Sequence, residues 1–228
     1  MTDRIRVALE VAPKRSFATA IDWPGWSRAG KTPEAALQTL LAYGIRYAPV
    51  AERAGQRLEV PGSVDVIDII ERLEGGSGTE FGVPGVPASA EGAPVDAADL
   101  GRLTALLRAA WETFDNAAAA AVGVTLRLGP RGGGRSLDKV IGHVRDAEVA
   151  YLGQLGARPP DGAADPADGM DRIRAAFLEA LRARVAGEAL PNPRRTKNPW
   201  SPRYAVRRSA WHALDHAWEL EDRSTPAT

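Results

Sequence analysis

The chain has 228 residues, and its 29 basic and 29 acidic side chains cancel to a formal net charge of zero, so it lacks the electrostatic footprint of a nucleic-acid binder. No apolar run approaches the ~18 residues of a membrane span, and the opening segment MTDRIRVALEV has no signal-peptide core, so a cytoplasmic protein is expected. Cysteine is missing altogether, which excludes disulfides, thiolate zinc sites, iron–sulfur clusters and a cysteine nucleophile, so that any metal must be held by nitrogen and oxygen and any thiol must come from outside the chain.

Ile5, Val7, Leu9 and Val11 alternate with polar or small residues, the period-two pattern of a half-buried strand. Residues 17–21 predict a second strand and residues 27–29 a third, separated by the turn Asp22-Trp23-Pro24-Gly25-Trp26. Thr32-Pro33-Glu34 starts a helix, with threonine as cap, proline at the first helical position and an acid at the positive helix end. That helix runs to about Arg53, and residues 58–60 and 64–70 predict further strands. Residues 75–94 are rich in glycine and proline and predict a linker. Beyond it the hydrophobic period changes to 3.6: helices are predicted over residues 96–121, 137–155, 168–185 and 201–223. The expected fold class is α+β, with a small β-β-β-α-β domain over residues 1–74, a linker over 75–94 and a four-helix bundle over 95–224.

All three histidines fall in the helical region, His143 in its second helix and His212 and His216 one turn apart in its fourth. The i,i+4 spacing puts two imidazoles on one face, and a third from a neighbouring helix makes a three-nitrogen metal site with open positions for water or substrate. On a helical wheel all three sit at the edge of an apolar arc, where hydrogen-bonded surface histidines without a metal are the alternative reading. Glu148 falls inside the apolar arc of its helix, and a buried acid needs a partner. A salt bridge to Arg208 or Arg223 is the favoured reading. The other makes Glu148, with Glu219 on the histidine stripe, a candidate supporting group beside the metal.

The stretch Ser136-Leu137-Asp138-Lys139-Val140-Ile141-Gly142-His143-Val144-Arg145-Asp146-Ala147-Glu148 resembles the DinB-like (DinB/YfiT-type) family. So does Arg208-Ser209-Ala210-Trp211-His212-Ala213-Leu214-Asp215-His216-Ala217-Trp218-Glu219. The resemblance implies a four-helix bundle with a divalent transition metal (zinc, nickel or iron) on His143, His212 and His216. Some family members are transferases or isomerases that use a low-molecular-weight thiol such as mycothiol or bacillithiol. Residues 17–37 (FATAIDWPGWSRAGKTPEAAL) are similar to the small α/β fold of HicB-type antitoxins, as a likeness of fold.

Gly129-Pro130-Arg131-Gly132-Gly133-Gly134-Arg135 lacks the Gly-Lys-Ser/Thr ending of a P-loop and reads as a connector. If it has a function, Arg131 and Arg135 would hold a substrate carboxylate near the metal. The basic stretch over residues 192–208 is a solvated surface or a site for an anionic thiol, with Arg208 as its candidate ligand. Trp23 and Trp26 are read as a docking surface against the bundle. Two functions remain open: a metal-dependent thiol S-transferase or hydrolase acting on a small molecule, and a non-catalytic binding or scaffold protein whose HicB-like domain engages a protein partner. Neither reading expects nucleic acid or membrane, and a homodimer is compatible with both.

Overall fold

The computed structural model describes residues 4–128, 134–189 and 198–224. Strands β1 (Ile5–Val11), β2 (Ser16–Ala20) and β3 (Ser27–Gly30) form close to where the sequence predicts them, and β4 (Ile67–Glu74) completes a four-stranded sheet in the order β3-β2-β1-β4. β1 pairs antiparallel with β2 (Leu9 opposite Ala18) and parallel with β4 (Ile5 opposite Ile67), with an irregularity between Val7 and Ala8. The sheet is therefore mixed. The strand expected over residues 58–60 does not form.

Helix α1 (Pro33–Ala42) begins as its sequence dictates, with the Thr32 hydroxyl accepting from Ala35 N at 3.2 Å. It presses so closely on β3 that a Cβ on Gly30 would lie 2.2 Å from Ala36 N, and no other residue fits there. The single helix expected up to Arg53 is broken: α2 (Gly44–Arg53) starts anew after Tyr43. The reason lies outside the helix. The indole of Trp26 donates to Leu40 O at 2.8 Å, taking the carbonyl that the Gly44 N–H would have used.

The stretch expected as a linker is folded instead. It carries α3 (Ser77–Phe81) and a 3₁₀ turn at Ser89–Gly92, and Thr79, Ala88 and Glu91 within it are buried. The buried Glu10 carboxylate accepts from the Thr79 hydroxyl, Val86 N (3.0 Å) and Gly85 N (3.3 Å). At the other end Arg207 forks onto Glu91 (2.5 and 3.0 Å) and donates to Pro84 O and Val86 O (2.9 and 3.1 Å). Glycine and proline here make turns of a strap laid between the sheet and the last helix.

The helices read from the 3.6-residue period are α4 (Ala97–Ala120), α5 (Leu137–Gln154), α6 (Gly169–Val185) and α7 (Pro202–Ser224). Leu103, Leu107 and Phe114 of α4 are buried, as are Val140, Val144 and Leu152 of α5 and Ile173, Phe177 and Leu181 of α6. α7 differs, being buried almost all round from Tyr204 to Leu220. One side faces α4 and α5, while the other receives the sheet region. There Phe17 meets Trp211 edge-on at 6.2 Å, Tyr43 meets Trp218 at 5.1 Å, and Arg28 pairs with Asp215 at 2.9 Å. Gly25, at φ 95°, brings the turn against α7, where a Cβ would lie 2.8 Å from Leu214. The apolar core thus runs without a break from Val7 and Leu9 through Leu214 to Leu107 and Phe177. Among the described residues, no helix is long and apolar enough to cross a membrane.

Candidate metal centre

α5 and α7 bring His143, His212 and His216 together, with one nitrogen from each within 4.8 Å of the others. The ring centroids are 4.9, 4.9 and 4.6 Å apart. His143 Nε2 and His212 Nε2 face one another at 3.2 Å. Two nitrogens on one tetrahedral zinc, each about 2.0–2.1 Å from it, stand about 3.3 Å apart, so this pair already has the spacing of ligands to a shared ion. The expectation that all three lie at the core edge holds for half-buried His143. His212 and His216 are buried on the side of α7 that faces α5, where His143 lies against both rings and Tyr151 against that of His212.

Glu219 supports the trio. Its Oε2 accepts from His216 Nδ1 at 2.7 Å and its Oε1 accepts from Arg223 at 2.8 Å. The hydrogen bond from His216, together with the Arg223 guanidinium, holds the Glu219 carboxyl below the usual carboxylate range. An ionised Glu219 can only accept, so His216 Nδ1 carries the proton and Nε2 keeps its lone pair for a cation. Arg223 is itself fixed by Arg127 O and Arg135 O, both at 2.8 Å. The i,i+3 and i,i+4 steps from His216 to Glu219 and from Glu219 to Arg223 were legible in the sequence, but the division of labour along them was not. Glu219→Ala is expected to weaken divalent-metal affinity about 10–100-fold in competition with a chromophoric chelator. Unchanged affinity would show that His216 needs no partner.

Burial pushes the His143 imidazole below its ordinary pKa, with Arg135 and His216 adding to the effect. Burial and the neighbouring His216 and His143 push His212 much further, to about 2. Both rings are thus kept neutral, the state a metal ligand requires. Among the described residues, His212 Nδ1 is buried without a hydrogen-bond partner. The donor set of three neutral imidazoles, with one carboxylate behind and a half-open side at His143, fits a divalent transition metal.

Glu148 does not join this group. It is fully buried, and it meets neither Arg208 nor Arg223, contrary to the salt bridge favoured from sequence. Instead Trp111 Nε1 donates to Oε1 at 2.9 Å, and the Ser209 hydroxyl lies 2.7 and 2.8 Å from its two oxygens. Burial raises its pKa, and the hydroxyl can both donate to one oxygen and accept from the protonated other, so neutral donors satisfy a neutral acid. A raised carboxyl pKa adds stability that is complete below the unfolded value of about 4.5 and is lost as pH rises through the folded one. Glu148→Gln is therefore expected to match or exceed the wild-type melting temperature at pH 7, with its advantage growing as pH rises. Glu148→Ala should cost about 2–4 kcal/mol. A marked loss in the glutamine variant would show that the acid is ionised.

Of the candidate substrate arginines, Arg135 is exposed near His143, and Arg208 is buried one turn before His212. Arg131 lies outside the described residues, as do Arg194, Arg195 and Lys197 of the basic stretch. Arg203 and Arg207 of that stretch are committed to Asp99 and Glu91. Tyr151, which the sequence reading passed over, stands edge-on to His212 at 5.8 Å. Trp26 is fully buried on Tyr47 (5.5 Å, stacked) inside its own region, so only the neighbouring turn serves the docking expected of it.

No family model, no curated protein and no solved structure matches the chain.

Proposed function

We propose that the chain is a divalent-metal protein of DinB-like type, in which α4 to α7 act as the four-helix bundle and His143, His212 and His216 hold one zinc, nickel or iron ion. The observation that carries this reading is the convergence of the three imidazoles from two helices, with Glu219 fixing the tautomer of His216. When bound, the ion supplies a double positive charge that favours the anionic form of a water or a thiol in its neighbourhood.

The chain's own residues do the rest. Glu219 and Arg223 orient His216, and burial keeps His143 and His212 unprotonated. Arg135, at the open side, draws an anionic reactant toward the histidines. With no cysteine in the chain, the nucleophile of a transferase reaction is a soluble thiol of the mycothiol or bacillithiol type, and that of a hydrolase is water. The scaffold alternative has less support, because α7 itself occupies the face of the sheet region nearest the helices.

Cobalt substitution tests the thiol assignment. A change in the visible spectrum on adding mycothiol or bacillithiol is the expected result. An unchanged spectrum at saturating concentrations of both would remove the thiol transferase and leave a metal-dependent hydrolase or a non-catalytic metal protein.

A further inference from the structure

Three guanidinium groups are buried among the described residues, those of Arg174, Arg207 and Arg208. Arg174 pairs with Asp115 at 2.7 Å, and Arg207 pairs with Glu91 at 2.5 Å. Arg208, only 6% exposed, has no carboxylate partner among the described residues. Its Nη1 and Nη2 make long contacts, 3.3 Å each, to Pro84 O and the Tyr151 hydroxyl, and its Nε is buried with no partner among the described residues. What surrounds it is aromatic: the rings of Trp211, Tyr151 and Trp200 lie 5.0, 5.5 and 5.9 Å from its central carbon.

Ring faces attract a cation but leave its N–H groups unmet, and a buried guanidinium without an anion is costly. The unmet groups have a particular shape. Nε and Nη2 form the side-on fork that matches the two oxygens of a carboxylate. The place is also particular. Arg208 lies one helical turn before His212 on α7, and Tyr151 bridges them, with its hydroxyl on Arg208 and its ring edge-on to His212.

We propose that Arg208 is the binding site for the carboxylate of a small-molecule ligand, whose apolar body lies along Tyr151 and Trp200 and which is thereby held beside the three histidines. The carboxylate takes Nε and Nη2 and replaces the long contact to the Tyr151 hydroxyl. The two rings, both half-buried, favour a flat apolar body over a polar chain. This assignment rests on the metal reading only for what the ligand is held beside; the fork and the rings stand without it.

Benzoate and its neutral counterpart benzamide are the probes, titrated by calorimetry into the full chain, with metal content measured on the same samples. Benzoate is expected to bind at least tenfold more tightly than benzamide. In Arg208→Met the two should bind within about twofold of each other, while metal content and helical circular dichroism stay at wild-type levels. Without benzoate, Arg208→Met should melt no lower than wild type, since it removes a charge that nothing neutralises. Arg208→Lys keeps the charge and loses the fork, and its preference for benzoate should fall at least threefold. Equal binding of the two probes by wild type, a preference that survives in Arg208→Met, or an Arg208→Met protein that melts well below wild type would each overturn the assignment. A protein without metal that still prefers benzoate through Arg208 would overturn the metal reading alone, and a fully metallated protein without the preference would overturn the carboxylate site alone.

Discussion

Glu91→Ala is expected to destabilise the protein by about 3–5 kcal/mol, because it leaves the Arg207 guanidinium buried without its carboxylate. Both side chains are 4% exposed, and Glu91 also accepts from Ala88 N at 2.8 Å, so the substitution removes the 3₁₀ turn's internal support as well as the ion pair. For a chain of this length each kcal/mol lowers the melting temperature by about 2–4 °C. Arg207→Ala should cost a similar amount, since it also frees Pro84 O and Val86 O. The apolar double variant Glu91→Leu with Arg207→Met should lose less than the sum of the two single changes, as coupled partners do. Limited proteolysis gives an independent readout: residues 75–94 should resist cleavage in the wild type and become sensitive in Glu91→Ala. Early cleavage of the wild type within that stretch would mean that the strap is not held.

The second large effect comes from the histidines. At a free metal concentration about 1,000 times Kd, binding to the native state adds about 4 kcal/mol of stability. His212→Ala or His216→Ala should abolish that increment. Without metal, and with Glu148→Gln removing the opposed titration of the raised carboxyl, the depressed pKa values of His143 and His212 set the pH dependence. A group whose folded pKa is lowered binds fewer protons folded than unfolded, so its contribution is complete above the unfolded value of about 6.5 and is lost as pH falls below it. The metal-free Glu148→Gln protein should therefore lose stability steadily from about pH 6.5 downward, and His212→Phe should flatten that slope. A metal-free stability curve that is level between pH 7 and 4.5 would mean that the rings are not held neutral.

Much of the fold was legible where a local rule decides it. Thr32-Pro33 started α1, alternation marked β1, and the 3.6-residue period found α4 to α7. What failed depended on partners distant in the chain. The helix break at Tyr43 follows from the Trp26 indole, 14 residues before the Leu40 carbonyl it takes, and the strap from Glu10 and Arg207 at its two flanks. Glycine and proline announce turns equally well in a free linker and in a packed strap, so composition could not separate them. In the candidate site the His212 and His216 pair was legible because i,i+4 spacing is a property of one helix. The burial of both was not, because it comes from how α5 packs against α7, which brings His143 and Tyr151 onto the two rings. Glu148 was placed correctly inside an apolar arc. Its partners were misjudged, since neutral donors on Trp111 and Ser209 meet a neutral acid as well as an arginine meets an ionised one.

Metal content is the most direct measurement of the central claim. Protein purified without a histidine tag, dialysed and examined by elemental analysis, should carry about one divalent transition metal per chain. The variant with both His212→Ala and His216→Ala should carry none while keeping its helical circular dichroism. Full metal occupancy in that double variant, or a wild type that takes up no zinc, nickel or iron when these are supplied, would contradict the assignment of His143, His212 and His216 as a metal centre.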